Sequence, residues 1–251
     1  MSDLVKSHFS QIDHEDNIRW NGNRFVVMGD VDDVPDSMVP EDEVINAPHH
    51  INYFTFRALL KCIQHIENPE IVETGTTATA VRSSALFDQY TLQKGGKFTT
   101  VDLNPATSAR AQAAFKNPMS SAHTSDSVQF LKDYAGMIDV LYLDSYDVDW
   151  MDPINSGNHC VNELEAALPK MKDHSFILID DTPSKPLYLP FRGKMYEDVK
   201  ASYDMTGMMP GKGMFIEDII MNNKFGFKVT KVIHQYQVLY ELNKANSIHQ
   251  L

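Results

Sequence analysis

Cysteine is scarce: Cys62 and Cys160 are the only two in 251 residues, and no CxxC pair occurs. A disulfide framework and a cysteine-rich zinc site are thereby excluded, leaving two buried free thiols in a reducing compartment as the expectation. Long hydrophobic runs are missing too. No apolar stretch is long enough to span a bilayer, and Met1-Ser2-Asp3-Leu4-Val5-Lys6 lacks the apolar core of a signal peptide. The expectation is a soluble, cytoplasmic protein with no membrane partner. Positive charge is in deficit. With 22 Lys and Arg against 34 Asp and Glu, the net charge is -12, which repels phosphate backbones and makes a nucleic-acid partner unexpected. Internal repeats and low-complexity tracts are absent.

What is present is ordinary globular composition, 43% hydrophobic, enough for one sizeable α/β core. Residues 1–48 read as an arm. Ile18-Arg19-Trp20 and Arg24-Phe25-Val26-Val27-Met28 flank Asn21-Gly22-Asn23, a sequence that favours a tight hairpin turn. An acidic stretch from Asp30 to Glu43 follows. The arm is either a solvated linker or a lid or homodimer contact.

Residues 49–251 carry the main domain. Ile51, Phe54, Leu59, Leu60 and Ile63 recur at helical spacing, so a helix is predicted over 49–65, stopped by Asn68-Pro69. Strands are predicted over 70–75, 97–102, 120–124, 138–144 and 175–180, with helices over 79–90, 106–115, 127–134 and 158–168 between them. The 138–144 and 175–180 strands are near-continuous apolar runs, as expected of central parallel strands buried on both faces. After a short helix near 215–221, strands over 227–234 and 236–240 lie close enough to pair antiparallel. Residues 183–214, with Met205, Met208, Met209 and Met214 around Pro210-Gly211-Lys212-Gly213, read as a substrate-side insertion. Lys185, Arg192, Lys194 and Lys212 put positive charge there.

The chemistry concentrates at strand ends. Ile71-Val72-Glu73-Thr74-Gly75-Thr76-Thr77 ends a strand in an acid and a glycine, and Thr99-Thr100-Val101-Asp102 ends the next in a lone acid. A glycine that admits close backbone approach, followed one unit later by a carboxylate for ribose hydroxyls, is how a chain holds a nucleoside. A dinucleotide is disfavoured, because Thr76-Thr77-Ala78-Thr79 cannot cradle a pyrophosphate as glycines do. That leaves a dehydrogenase as a distant reading. Asp144, Asp180 and Asp181 end two later strands. In a parallel sheet such ends share one edge, where three carboxylates repel unless a proton or cation intervenes; oxygen donors suit a hard cation such as Mg²⁺.

A parallel sheet closed by an antiparallel pair, with these strand-end acids, resembles the class I S-adenosylmethionine-dependent methyltransferases from about residue 49 to the end. The resemblance implies an α/β, Rossmann-like, doubly wound, mostly parallel seven-stranded sheet with an antiparallel C-terminal strand pair. It assigns the cofactor's methionine part to Gly75, Thr76 and Thr77, with Glu73 beneath, its ribose to Asp102, and its adenine edge to Asp126 and Ser127. Asp126 and Ser127 are equally suited to capping the helix that follows. Within the family, Leu143-Asp144-Ser145-Tyr146-Asp147 and Ile179-Asp180-Asp181-Thr182-Pro183 are similar to the metal-dependent O-methyltransferases, both the catechol type and the macrocin and cephalosporin-hydroxylase-like branch. Asp144, Asp180 and Asp181 would then hold Mg²⁺ or another divalent cation, with Asp144 also beside the cofactor. Asp147, where catechol enzymes carry a lysine, and His159 are the candidates to take the proton of a small hydroxylated acceptor. A metal-independent N- or O-methyltransferase and a non-catalytic cofactor-binding subunit are the alternatives.

Overall fold

The computed structural model describes residues 2–10, 18–20, 25–27, 49–76, 82–191 and 193–244. Helix α1 (Ser2–Ser10) is followed by β1 (Ile18–Trp20), β2 (Phe25–Val27) and β3 (His49–His50), which form a small antiparallel sheet in the order β2-β1-β3. Ile18 pairs with Val27 and Trp20 with Phe25, as a hairpin requires. The Asn21-Gly22-Asn23 turn and the acidic stretch after it lie outside the described residues. Helix α1 packs Leu4, Val5 and Phe9 into the same core as the helix beginning at Tyr53, so the chain's first turns belong to the main body. Nothing in the sequence pattern announces that packing.

The helix predicted from residue 49 begins later. His49 and His50 pair with Trp20 and Arg19, so their backbone groups serve β3, and α2 (Tyr53–Cys62) starts where the Asn52 carbonyl accepts from the Phe56 N–H. Seven further strands then form one sheet: β4 (Glu70–Thr74), β5 (Lys97–Asp102), β6 (Ser121–Thr124), β7 (Ile138–Leu143), β8 (Met171–Ile179), β9 (Phe227–His234) and β10 (Val238–Lys244). Their order is β6-β5-β4-β7-β8-β10-β9. Strands β4 to β8 are parallel; β10 runs antiparallel to both β8 and β9. The expected architecture is therefore present.

The helices between the strands are α3 (Ser83–Lys94), α4 (Pro105–Ala114), α5 (Ser127–Asp133) and α6 (Ile154–Ala167), with α7 (Lys194–Thr206) and α8 (Ile216–Met221) before the terminal pair. Strand β7 shows why the sheet is stable. Val140 and Tyr142 pack with Phe56, Phe87 and Phe98 on one face, while Leu141 and Leu143 pack with Leu131, Leu164 and Ile216 on the other. Both faces are covered, which explains a strand without polar alternation. Strand β8 is longer than predicted, because its register against β7 breaks between the Ile138–Met171 and Val140–Phe176 pairs, with His174 left-handed at φ 57°. That bulge interrupts the apolar run that marks the strand. Helix α7 escapes the pattern for a different reason: Val199 is its one buried residue, so its apolar stripe is narrow.

Candidate active site

The C-terminal ends of β4, β5 and β7 meet along one edge. There the loop after β4 crosses the loop after β7 at Gly75, whose φ is +79° and where an added Cβ would lie 2.3 Å from the Asp144 carbonyl oxygen. Only glycine allows that approach. The Gly75 N–H donates to the Val101 carbonyl at 2.8 Å, and the Asp144 N–H donates to the Thr74 carbonyl at 2.9 Å. Thr76 turns the loop toward β5: its N–H donates to Asp102 Oδ2 at 3.0 Å, and its hydroxyl meets that of Thr100 at 2.9 Å. Asp102 Oδ1 accepts from the Asn104 N–H at 2.7 Å. The carboxylate is thus fixed in place by backbone donors. Thr77 lies outside the described residues.

Glu73 sits underneath, wholly buried, and accepts from the Ser83 and Ser84 hydroxyls at 2.5 Å each. Burial pushes its carboxyl up to about 8, despite these donors. It fastens the start of α3 to the end of β4.

A cleft of about 380 Å³ opens above this frame, lined by Gly75, Thr76, Asp102, Ser127, Asp144 and His159 among others. Its length of strand-end backbone, fixed carboxylate and serine hydroxyls fits a nucleoside with an amino-acid tail. Asp126 takes the capping alternative: its Oδ1 accepts from the Gln129 N–H at 2.8 Å, and the cleft wall at that point is Ser125 and Ser127. Asp147 lies exposed on the same wall.

His159 belongs to a network that the sequence only half displays. Its Nε2 is 3.0 Å from the Ser127 hydroxyl and 3.5 Å from Glu163 Oε1, which also accepts from Ser145 Oγ at 2.6 Å. Hydrogen bonding to Glu163 raises the His159 pKa against the opposing effect of burial. Sequence reasoning misses Glu163, although His159 and Glu163 stand four apart on α6, the spacing that puts two side chains on one helix face.

The three acids at the ends of β7 and β8 do converge: Asp144, Asp180 and Asp181 offer oxygens within 4.8 Å of one another. A lysine stands between two of them. Lys212 Nζ lies 2.6 Å from Asp144 Oδ1 and 3.0 Å from Asp181 Oδ2, with its side chain 2% exposed. Gln237 Nε2 donates to Asp180 Oδ1 at 2.8 Å, and the Tyr236 hydroxyl donates to Asp181 Oδ1. Burial, then the charges of Asp144 and Asp181, push the Asp180 carboxyl well above its ordinary value. Burial works against the Lys212 ammonium, yet Asp144 and Asp181 hold its pKa well above the ordinary lysine value. As these side chains stand, a divalent ion does not fit, because an ammonium already bridges Asp144 and Asp181 and two acids accept from neutral donors. Lys212 is accordingly no surface charge facing a substrate; Arg192 lies outside the described residues.

No family model and no curated protein matches this chain. Among solved structures it resembles MycE, a methyltransferase of the mycinamycin biosynthetic pathway in complex with Mg and S-adenosylhomocysteine, at 13% identity and a TM-score of 0.53, over 78% of this chain and 51% of MycE. An O-methyltransferase from Bacillus cereus in complex with S-adenosylhomocysteine is similar at 15% identity and a TM-score of 0.45, over 82% and 84% of the two chains. The N-methyltransferase NodS from Bradyrhizobium japonicum is similar at 12% identity and a TM-score of 0.45, over 76% and 94%. At such identities the likeness is one of fold, and the fold, with its sheet order and terminal antiparallel pair, is that of the class I S-adenosylmethionine-dependent methyltransferases.

Proposed function

We propose that this protein transfers the methyl group of S-adenosylmethionine to a hydroxyl of a small molecule. The observation that carries the reading is the frame of Gly75, Thr76 and Asp102 along the strand-end cleft of this fold. The sulfonium cofactor supplies an electrophilic methyl when bound. Gly75 and Thr76 bring backbone against its amino-acid tail, and the fixed Asp102 carboxylate accepts from the ribose hydroxyls. Ile51, Tyr188 and Tyr236 pack as a buried apolar cluster behind the acids, with the Tyr236 hydroxyl donating to Asp181. His159 Nε2, already facing the Ser127 hydroxyl, takes the acceptor's proton, and Glu163 stabilises the imidazolium that results. Asp147, exposed on the cleft wall, is the other group able to take it. The metal assistance suggested by the three acids is the finer form of this reading. Its support is their 4.8 Å spacing, and Lys212 stands against it.

Calorimetric titration with S-adenosylmethionine and S-adenosylhomocysteine tests the cofactor. Saturable binding is expected, and an absence of heat with both ligands removes the proposal. Asp102→Ala is expected to weaken binding about 10–100-fold, the loss of one charge-assisted pair. His159→Gln is expected to leave cofactor affinity within about threefold while lowering kcat on the order of 100-fold. Equal loss of affinity and turnover would move His159 from the proton's path into cofactor binding. Binding by the wild type with no turnover on any hydroxylated acceptor would favour a non-catalytic subunit.

A further inference from the structure

We propose that Lys212 is the resident cation of this site, an ammonium standing where a divalent ion would neutralise Asp144 and Asp181, so that methyl transfer here needs no metal. The inference rests on the methyl-transfer reading for its last clause only; the occupancy of the site by lysine stands on geometry.

The delivery of Lys212 is built into the backbone on both sides. Gly211 has φ +146°, and a Cβ there would lie 2.2 Å from the Asp181 carbonyl oxygen. A Cβ on Gly213 would lie 2.4 Å from Thr182 Cγ2. The Lys212 N–H donates to the Asp181 carbonyl at 3.0 Å, and the Gly213 N–H donates to Thr182 Oγ1 at 3.0 Å. Gly-Lys-Gly is therefore strapped against Asp181-Thr182, and the buried lysine side chain runs from that strap to the Asp144 and Asp181 carboxylates. A flexible surface lysine would need none of this.

The charges agree with that placement. One ammonium sits between Asp144 and Asp181, while Asp180 is held by the neutral Gln237 amide and Asp181 by the Tyr236 hydroxyl. A divalent ion in the same space would meet a buried ammonium at contact distance and would have to displace protein donors from its own ligands. The consequence for function is that Asp144, which lines the cleft, is positioned by a side chain of the chain itself. Lys212 is a positioning residue, fixed whatever the metal supply.

The test compares full-length wild type, Lys212→Ala and Lys212→Met by thermal unfolding and calorimetry with Mg²⁺ or Mn²⁺ as the probe, and by methyl transfer with and without chelator. Wild type is expected to show no metal-dependent shift in Tm, no heat of metal binding at millimolar ion and no loss of turnover in chelator. Lys212→Ala, which empties the space and leaves the carboxylates facing one another, is expected to lose stability and to regain it with Mn²⁺. Lys212→Met fills the space without charge and should lose stability with no such recovery. Metal binding by the wild type, chelator-sensitive turnover, or recovery of both variants alike would overturn the inference. If Lys212→Ala does not fold in either condition, the wild-type metal titration alone decides. Cofactor titration is read separately: failure to bind S-adenosylmethionine would end the methyl-transfer reading and leave the metal results intact.

Discussion

Gly75→Ala is expected to lower stability by about 2–4 kcal/mol and to weaken S-adenosylmethionine binding more than roughly 100-fold. Two costs combine at this position. The left-handed φ of +79° costs a non-glycine residue on the order of 1 kcal/mol. The larger cost is steric, because the added Cβ would lie 2.3 Å from the Asp144 carbonyl oxygen and 2.8 Å from the Ser145 nitrogen, both backbone atoms. Relieving it means separating the loops after β4 and β7 by about 1 Å, which close-packed interiors resist. The separation would also pull Thr76 from Asp102 and Asp144 from Lys212, coupling the stability loss to the cofactor frame. Gly207→Ala is the control. Gly207 has a similar φ of +69° but nothing within 4 Å of its Cβ position, so only the strain of about 1 kcal/mol is expected there. Urea unfolding and cofactor titration of both variants separate the terms, and equal effects at the two glycines would refute the steric account.

That contact also shows where the sequence is readable and where it is not. The parallel strands are legible because burial on both faces leaves an uninterrupted apolar run, as in Ile138–Leu143, and Pro105 marks the start of α4 by the chemistry of a helix's first turn. Their strand-end residues come with them, since a parallel sheet puts all such ends on one edge. Gly75 stands out in the sequence for the cofactor's sake, but its immediate reason is the carbonyl of Asp144, a residue brought near by pairing of β4 with β7. Lys212 is harder still. Its partner Asp144 is 68 residues away, and in sequence Pro210-Gly211-Lys212-Gly213 has the composition of a loose loop. The two glycines reflect close approach to Asp181 and Thr182, which no local periodicity encodes. Helix α1 and the buried Glu163 escape a sequence reading for the same reason: their meaning lies in contacts, with Tyr53 and Phe56 for the first and with Ser145 and His159 for the second.

The other large effect expected is a stabilisation. Glu73→Gln should make the protein more stable at pH 8 by roughly 3–5 kcal/mol while leaving it nearly unchanged below about pH 4.5. Glu73 is wholly buried, and its folded-state pKa is about 8 against an unshifted 4.5. Between those values the folded chain holds a proton that the unfolded chain has released. Stability therefore falls as pH rises through the window, by about 1.4 kcal/mol per unit, and levels off above pH 8. Glutamine is neutral throughout and removes the slope. It keeps an oxygen to accept from one of Ser83 and Ser84, and its amide donates to the other, so the fastening of α3 survives. Because Glu73 is buried beneath the β4 loop, cofactor affinity should stay within about threefold. Urea unfolding of wild type and variant across this pH range gives the answer directly. Parallel profiles would mean that the Glu73 carboxyl is already ionised in the folded protein at neutral pH. Converging profiles toward acid would establish a neutral carboxyl, and with it a cofactor frame anchored from below by hydrogen bonds to uncharged groups.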